Sequence, residues 1–138
     1  PYGGNMECVT ETLNGLAEAV NSDQALLRRG RYVDLEFLLA IGDAGYFVAV
    51  CKGRVDSVTP GPALLRPWRF AIHIESDAWR QFRQPMPRPG YHDLFAMCKL
   101  GVARIEGDIH PLMANLRYFK ELLAKRCQSE ISEAIHGR

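Results

Sequence analysis

Apolar residues recur at three- and four-residue steps near the start of this chain, at every second residue through its middle, and at helical spacing again near its end. Leu13, Leu16, Ala17 and Val20, then Leu26 and Leu27, sit among polar neighbours in this way and predict helix over residues 6–29. Asn21-Ser22-Asp23 interrupts that run with side chains suited to capping a second piece of helix, and Arg28-Arg29-Gly30 reads as a helix ending. From Arg31 the period is two. Val33, Leu35, Phe37, Leu39 and Ile41 alternate with Tyr32, Asp34, Glu36, Leu38 and Ala40, which predicts a strand with one apolar face. Gly42 to Gly45 is a turn, Tyr46–Cys51 a strand apolar on both faces, and Lys52-Gly53 a second turn into Arg54–Val58. Three strands joined so tightly make an antiparallel meander.

Thr59 to Pro67, with three prolines, is a loop, after which Trp68–Glu75 alternates again with Phe70, Ile72 and Ile74 on one side. Ser76-Asp77 caps a short helix, Ala78–Gln84, in which Trp79 and Phe82 share a face. Pro85, Pro87 and Pro89 rule out regular structure up to Gly90. Residues 91–99 suit a helix with Leu94, Phe95 and Met97 or Cys98 as its apolar side, and Val102–Glu106 a last strand. Pro111 fits a first helical position, and one helix over 111–126 would carry Leu112, Met113, Leu116, Phe119, Leu122 and Leu123 on a single stripe. The expected class is α+β, a five-stranded and mostly antiparallel sheet whose apolar face needs a helical cover.

At 138 residues the chain is expected to form one domain, with a core over residues 12–125 and a polar, fraying tail over 128–138. The 17 basic and 16 acidic residues leave no global surplus of positive charge, so nucleic acid is not an expected partner. No run approaches the roughly 20 apolar residues that span a bilayer, and residues 1–5 show no signal-peptide pattern. A start at Pro1 rather than Met suggests missing upstream residues and leaves open that the domain is cut from a longer chain. Cys8, Cys51, Cys98 and Cys127 are too widely spaced for a metal knuckle or redox pair, which fits reduced thiols in the cytoplasm.

Sites for chemistry are scarce. His73, His92, His110 and His136 lack metal-ligand spacing, so neither a metal nor another cofactor is expected. His73 should face away from Phe70, Ile72 and Ile74 as a structural histidine, and Asp108 should cap the following helix. Tyr91-His92-Asp93 is a polar triplet able in principle to carry acid-base chemistry, though a turn followed by a capping aspartate explains it. There is no nucleophile elbow and no glycine-rich phosphate cradle. Arg66, Arg69, Arg80, Arg83 and Arg88 interleave with Trp68, Trp79 and Phe82, a composition suited to transient contact with anionic membrane surfaces, or to a solvated face over core aromatics.

The order of features from Phe70 to Leu123 resembles the second half of the sterol carrier protein type 2 family. It is carried by Phe70-Ala71-Ile72-His73-Ile74-Glu75-Ser76-Asp77, then Trp79 to Phe82, Leu94-Phe95-Ala96-Met97, Gly101-Val102-Ala103-Arg104-Ile105-Glu106-Gly107-Asp108, and Leu112, Met113, Leu116 and Phe119. The strands upstream, with Gly42-Asp43 and Lys52-Gly53-Arg54, keep the same order, while the proline-rich stretches 60–68 and 84–90 depart from the family's pattern. The resemblance implies an apolar tunnel between sheet and helices that binds or carries a sterol, fatty acyl or related lipid without catalysis. Leu35, Phe37, Leu39, Val48, Ile72, Ile74, Trp79, Phe82, Phe95, Leu112, Leu116 and Phe119 are its expected lining. Two alternatives stay open, an accessory or substrate-binding domain of an enzyme acting on apolar substrates and a protein-interaction module with a collapsed cavity, and a homodimer is open under any of these readings.

Overall fold

A computed structural model describes residues 2–61, 67–84 and 86–125, with side chains from residue 12 onward. The chain opens with α1 (Tyr2–Asn21) and α2 (Gln24–Arg29), followed by β1 (Asp34–Ile41), β2 (Ala44–Cys51) and β3 (Arg54–Pro60). Then come β4 (Phe70–Ile74), α3 (Ser76–Phe82), α4 (Leu94–Leu100), β5 (Ala103–Gly107), α5 (His110–Ala114) and α6 (Leu116–Ala124). The five strands form one sheet in the order β3-β2-β1-β4-β5, antiparallel throughout except for the parallel pair β1–β4.

Local chemistry explains the connections. Asp23 accepts a hydrogen bond from Leu26 N at 3.1 Å and starts α2, and Gly30 ends it. Gly42 (φ +61°) opens the two-residue β1–β2 turn, while Lys52 (φ +52°) and Gly53 (φ +85°) together make the positive-φ pair that a tight β2–β3 hairpin requires. β3 bulges against β2 between Ala49 and Val50, and the Asn21 carboxamide bonds both the N–H (2.8 Å) and the C=O (3.0 Å) of Val55 there, seating the end of α1 on the sheet.

The alternation read from the sequence decides the two sheet faces. Phe37, Leu39 and Ile41 of β1, Tyr46, Val48 and Val50 of β2, and Phe70, Ile72 and Ile74 of β4 share one buried cluster with side chains from all six helices. Leu38, Phe47 and Ala71 point the other way into a second, smaller buried cluster against which Trp68 packs. Among the described residues, every buried side chain is apolar or aromatic.

Four expectations need correction. Ser76 and Asp77 lie inside α3, whose N-cap is Glu75, rather than capping it. The first helix begins at Tyr2 rather than at residue 6, and β1 begins at Asp34 rather than Arg31. The helix expected over 111–126 is two helices, because Asn115 leaves helical geometry (φ −123°, ψ 36°). That break resets the phase. The inward face becomes Leu112, then Tyr118, Phe119, Leu122 and Leu123, while Met113 is 49% exposed and Leu116 stays partly exposed. Residues 62–66, the tail over 128–138, Cys127 and His136 lie outside the described residues, as does the side chain of Cys8.

Candidate ligand-binding interior

The candidate site is the space between the inner sheet face and its helical cover. Of the expected lining, Phe37, Leu39, Val48, Ile72, Ile74, Trp79, Phe82, Leu112 and Phe119 are buried in the main cluster, and Leu35 and Phe95 pack against it while partly exposed. Leu116 is not among those side chains; the helix break turns it toward the surface.

At the centre these side chains touch one another. Phe37 stacks on Phe70 with ring centroids 5.2 Å apart, and Phe119 meets both edge-on at 5.7 and 5.4 Å, the arrangement that aromatic quadrupoles favour. Phe37, Phe70 and Phe119 expose no surface to water (0% each), so the interior around them is packed. The tunnel implied by the family resemblance is therefore closed along this stretch. A ligand entering here has to displace side chains rather than fill a standing void.

Two neighbourhoods frame that centre. Tyr118, which the sequence stripe left out, is buried, with its hydroxyl donating to Gly53 O at 2.6 Å. Burial pushes the Tyr118 phenol well above its ordinary range, since the charged form would lose its water. Its ring lies so close to Gly30 that a Cβ there would come within 2.3 Å. Sequence could have flagged it only if the break at Asn115 had been seen. On the other side, Tyr91, Phe95, Cys98, Val102 and Ile105, all from the segment around α4 and β5, pack on the core without being sealed. Partial burial also raises the Cys98 thiol, with the Asp93 carboxylate adding to the effect.

The polar candidates resolve into structural roles. Asp93 caps α4, accepting from Phe95 N (2.7 Å) and Ala96 N (3.3 Å), and His92 lies exposed beside it at 3.6 Å. His73 bonds Glu106 on the neighbouring strand at 2.7 Å, and Asp108 accepts from His110 N at 3.2 Å. Trp79 and Phe82 are core residues, as the second account of their arginine-rich context expected. Arg80 pairs with Asp77 at 3.1 Å, and Arg83 donates to Leu123 O and Lys125 O at 3.1 and 2.7 Å, closing the end of α6. Arg66 lies outside the described residues. An open cleft of about 330 Å³ at the ends of β1 and β4 carries Asp43, His73, Glu75 and Arg104 and is too polar to hold a lipid tail. Among the described residues, no three His, Cys, Asp or Glu side chains converge as a metal site, and no helix is long and apolar enough to cross a membrane.

No protein-family model matches the chain, and no curated protein matches its sequence. Solved structures match its shape. The crystal structure of sterol carrier protein 2 superposes with a TM-score of 0.63 at 15% identity, over 80% of this chain and 89% of that one. This is the sterol carrier protein 2 fold. A ubiquinone synthesis protein described as UbiJ-SCP2 shares it (TM-score 0.56, 13% identity, 89% of this chain and 96% of that one). So does part of the inverting sec-alkylsulfatase Pisa1 from a Pseudomonas species (TM-score 0.50, 13% identity), where the match covers 80% of this chain and 15% of the enzyme. At these identities the likeness is one of fold alone.

Proposed function

We propose that this chain binds an apolar ligand, a sterol, fatty acyl chain or related lipid, between its sheet and its helices, and acts as a carrier without catalysing a reaction. The observation that carries this reading is the interior itself: on a sterol carrier fold, every buried side chain among the described residues is apolar or aromatic. The mechanism is desolvation. Removing ~300 Å² of ligand surface from water contributes ~7 kcal/mol before the entropic cost of association. Part of that gain is offset by parting aromatic contacts worth ~0.5–1.5 kcal/mol each. The residues proposed to line the bound state are the expected set, with Leu116 at the rim rather than inside. Unpaired thiols at Cys51 and Cys98 support a cytoplasmic setting.

The test is native mass spectrometry of the purified chain, followed by solvent extraction. A co-purifying lipid, or a one-to-one complex with added oleyl alcohol, is the expected result. A chain that stays bare after exposure to oleyl alcohol, cholesterol and oleate would refute the proposal.

A second reading has its own observation, the match to one part of an alkylsulfatase chain. There the chain would serve as an accessory domain beside a catalytic one, shaping an apolar substrate site. Co-purification with a catalytic partner, or a natural chain that continues into a catalytic domain, favours it.

A further inference from the structure

We propose that the outer edge of β5 docks a second copy of this chain, the two β5 strands pairing antiparallel about a twofold axis at Ile105 so that Arg104 lies across from the partner's Glu106. β5 is last in the sheet order, so among the described residues one of its edges carries no partner strand. The bonds to β4 fix which backbone groups that edge presents. Glu75 N–H donates to Val102 O and Asp108 N–H to Arg69 O, each at 3.0 Å, and between them His73 stands opposite Arg104 and Ala71 opposite Glu106. In an antiparallel ladder bonded pairs alternate with non-bonded ones. Arg104 and Glu106 therefore turn their backbone groups toward β4, while Ala103, Ile105 and Gly107 turn theirs outward. Such an edge templates another strand unless lysine, proline or a bulge blunts it, and β5 has none of these. Its five residues make a short edge, so the pairing is weak and needs high concentration.

The side chains select this register. Ile105 packs on the inner face of the sheet, whereas Arg104 and Glu106 are exposed on the other, where Glu106 bonds His73 of β4 at 2.7 Å. Arg104 has no carboxylate partner among the described residues. With the axis at Ile105, that residue forms a backbone-bonded pair with its own copy. Arg104 and the partner's Glu106 then form a non-bonded pair, the kind whose side chains lie closer, and symmetry makes it twice. Shifting the register by one step either way sets Arg104 against the partner's Arg104, or Glu106 against the partner's Glu106, and like charges repel there. The flanks agree. Leu100, Ile109 and Met113 are exposed apolar side chains that bracket β5 in the chain. Antiparallel pairing brings the Leu100 end of one copy toward the Ile109 end of the other, so apolar surface leaves water as the strands meet.

The experiment is sedimentation velocity of the whole chain as its concentration is raised to ~1 mM. Wild type is compared with Arg104→Glu, with Glu106→Arg, with an equal mixture of those two variants, and with the double swap that carries both changes. Wild type is expected to dimerise reversibly. Each single reversal turns both charge pairs into repulsions and should weaken the dimer by about tenfold. The mixture and the double swap should restore it, since each sets acid against base again. A second readout needs no variant, and so stays decisive if one fails to fold. Hydrogen exchange followed by NMR should slow at the amides of Ala103, Ile105 and Gly107 as wild type dimerises. A wild-type chain that stays monomeric overturns the assignment, and so does a dimer indifferent to the single reversals. Weakened variants that neither the mixture nor the double swap rescues, or outward amides whose exchange ignores concentration, overturn it equally.

Discussion

On the α2 side of the interior, Tyr118 is pinned between Gly30 and the Gly53 carbonyl, its ring meets Phe119 at 5.2 Å, and Phe119 in turn wedges against Phe37 and Phe70. On the α4 side, Phe95 packs on the core with Lys120 Nζ 5.5 Å from its ring centre, and its neighbours Tyr91, Cys98, Val102 and Ile105 remain partly exposed. Both regions are apolar, and both cover the same sheet. They differ in how completely their side chains are sealed: the first is fixed by steric fit and a buried hydrogen bond, whereas the second, although Leu94 and Met97 of α4 are buried, keeps five apolar side chains in partial contact with water. Where an interior must open to admit a guest, the second kind of packing yields at lower cost. On the proposed carrier function, the difference divides this helical layer into an anchor and a candidate mouth.

Substitutions on each side can break or sharpen that division. Phe119→Ala removes three ring contacts from a sealed position and is expected to cost ~3–5 kcal/mol in denaturant unfolding; a cost below that of Phe95→Ala would contradict an anchor there. Gly30→Ala keeps an allowed backbone (φ −96°) but drives a methyl into the Tyr118 ring, for an expected ~1–3 kcal/mol. That cost should vanish in a Tyr118→Ala background, and a double-mutant cycle that comes out additive would remove the steric lock from the account. Phe95→Ala, at an unsealed position, is expected to cost only ~1.5 kcal/mol while changing ligand affinity more than any anchor substitution of equal stability.

The smallest effect belongs to Tyr118→Phe, at ~1 kcal/mol for the bond to Gly53. It carries a distinctive pH signature. Burial holds the folded phenol protonated above its ordinary value, so the unfolded chain ionises first. The stability is complete below about pH 10 and declines as pH rises further, by up to ~1.4 kcal/mol per unit for one proton. Unfolding curves of Tyr118→Phe should lack that component; an identical alkaline slope in both proteins would show that the tyrosine is not its source.

Period-two alternation in Leu35 to Ile41 and Phe70 to Ile74 made the sheet and its inner face readable, because a pleated strand leaves no freedom about which residues share a side. The helix stop at Gly30 and the hairpin at Lys52-Gly53 were readable for the same local reason: few residues serve there. Leu38 and Phe47 signalled an apolar second face, but what buries it depends on chain far away in sequence. Asn115 hid the correct phase of α6. One residue leaving helical geometry rotates everything after it, which brought Tyr118 inward and left Leu116 partly exposed. Whether sheet and helices interlock or leave a gap is a matter of side-chain fit between distant elements, and spacing along a chain carries no record of it.

Hydrogen–deuterium exchange with and without oleyl alcohol tests the division between anchor and mouth most directly. Ligand should protect amides of α4, β5 and the α5–α6 junction, leaving α2 and the β2–β3 hairpin unchanged. Uniform protection across the helical layer, or protection centred on α2 and the hairpin, would contradict a guest lodged between sheet and helices on the Phe95 side.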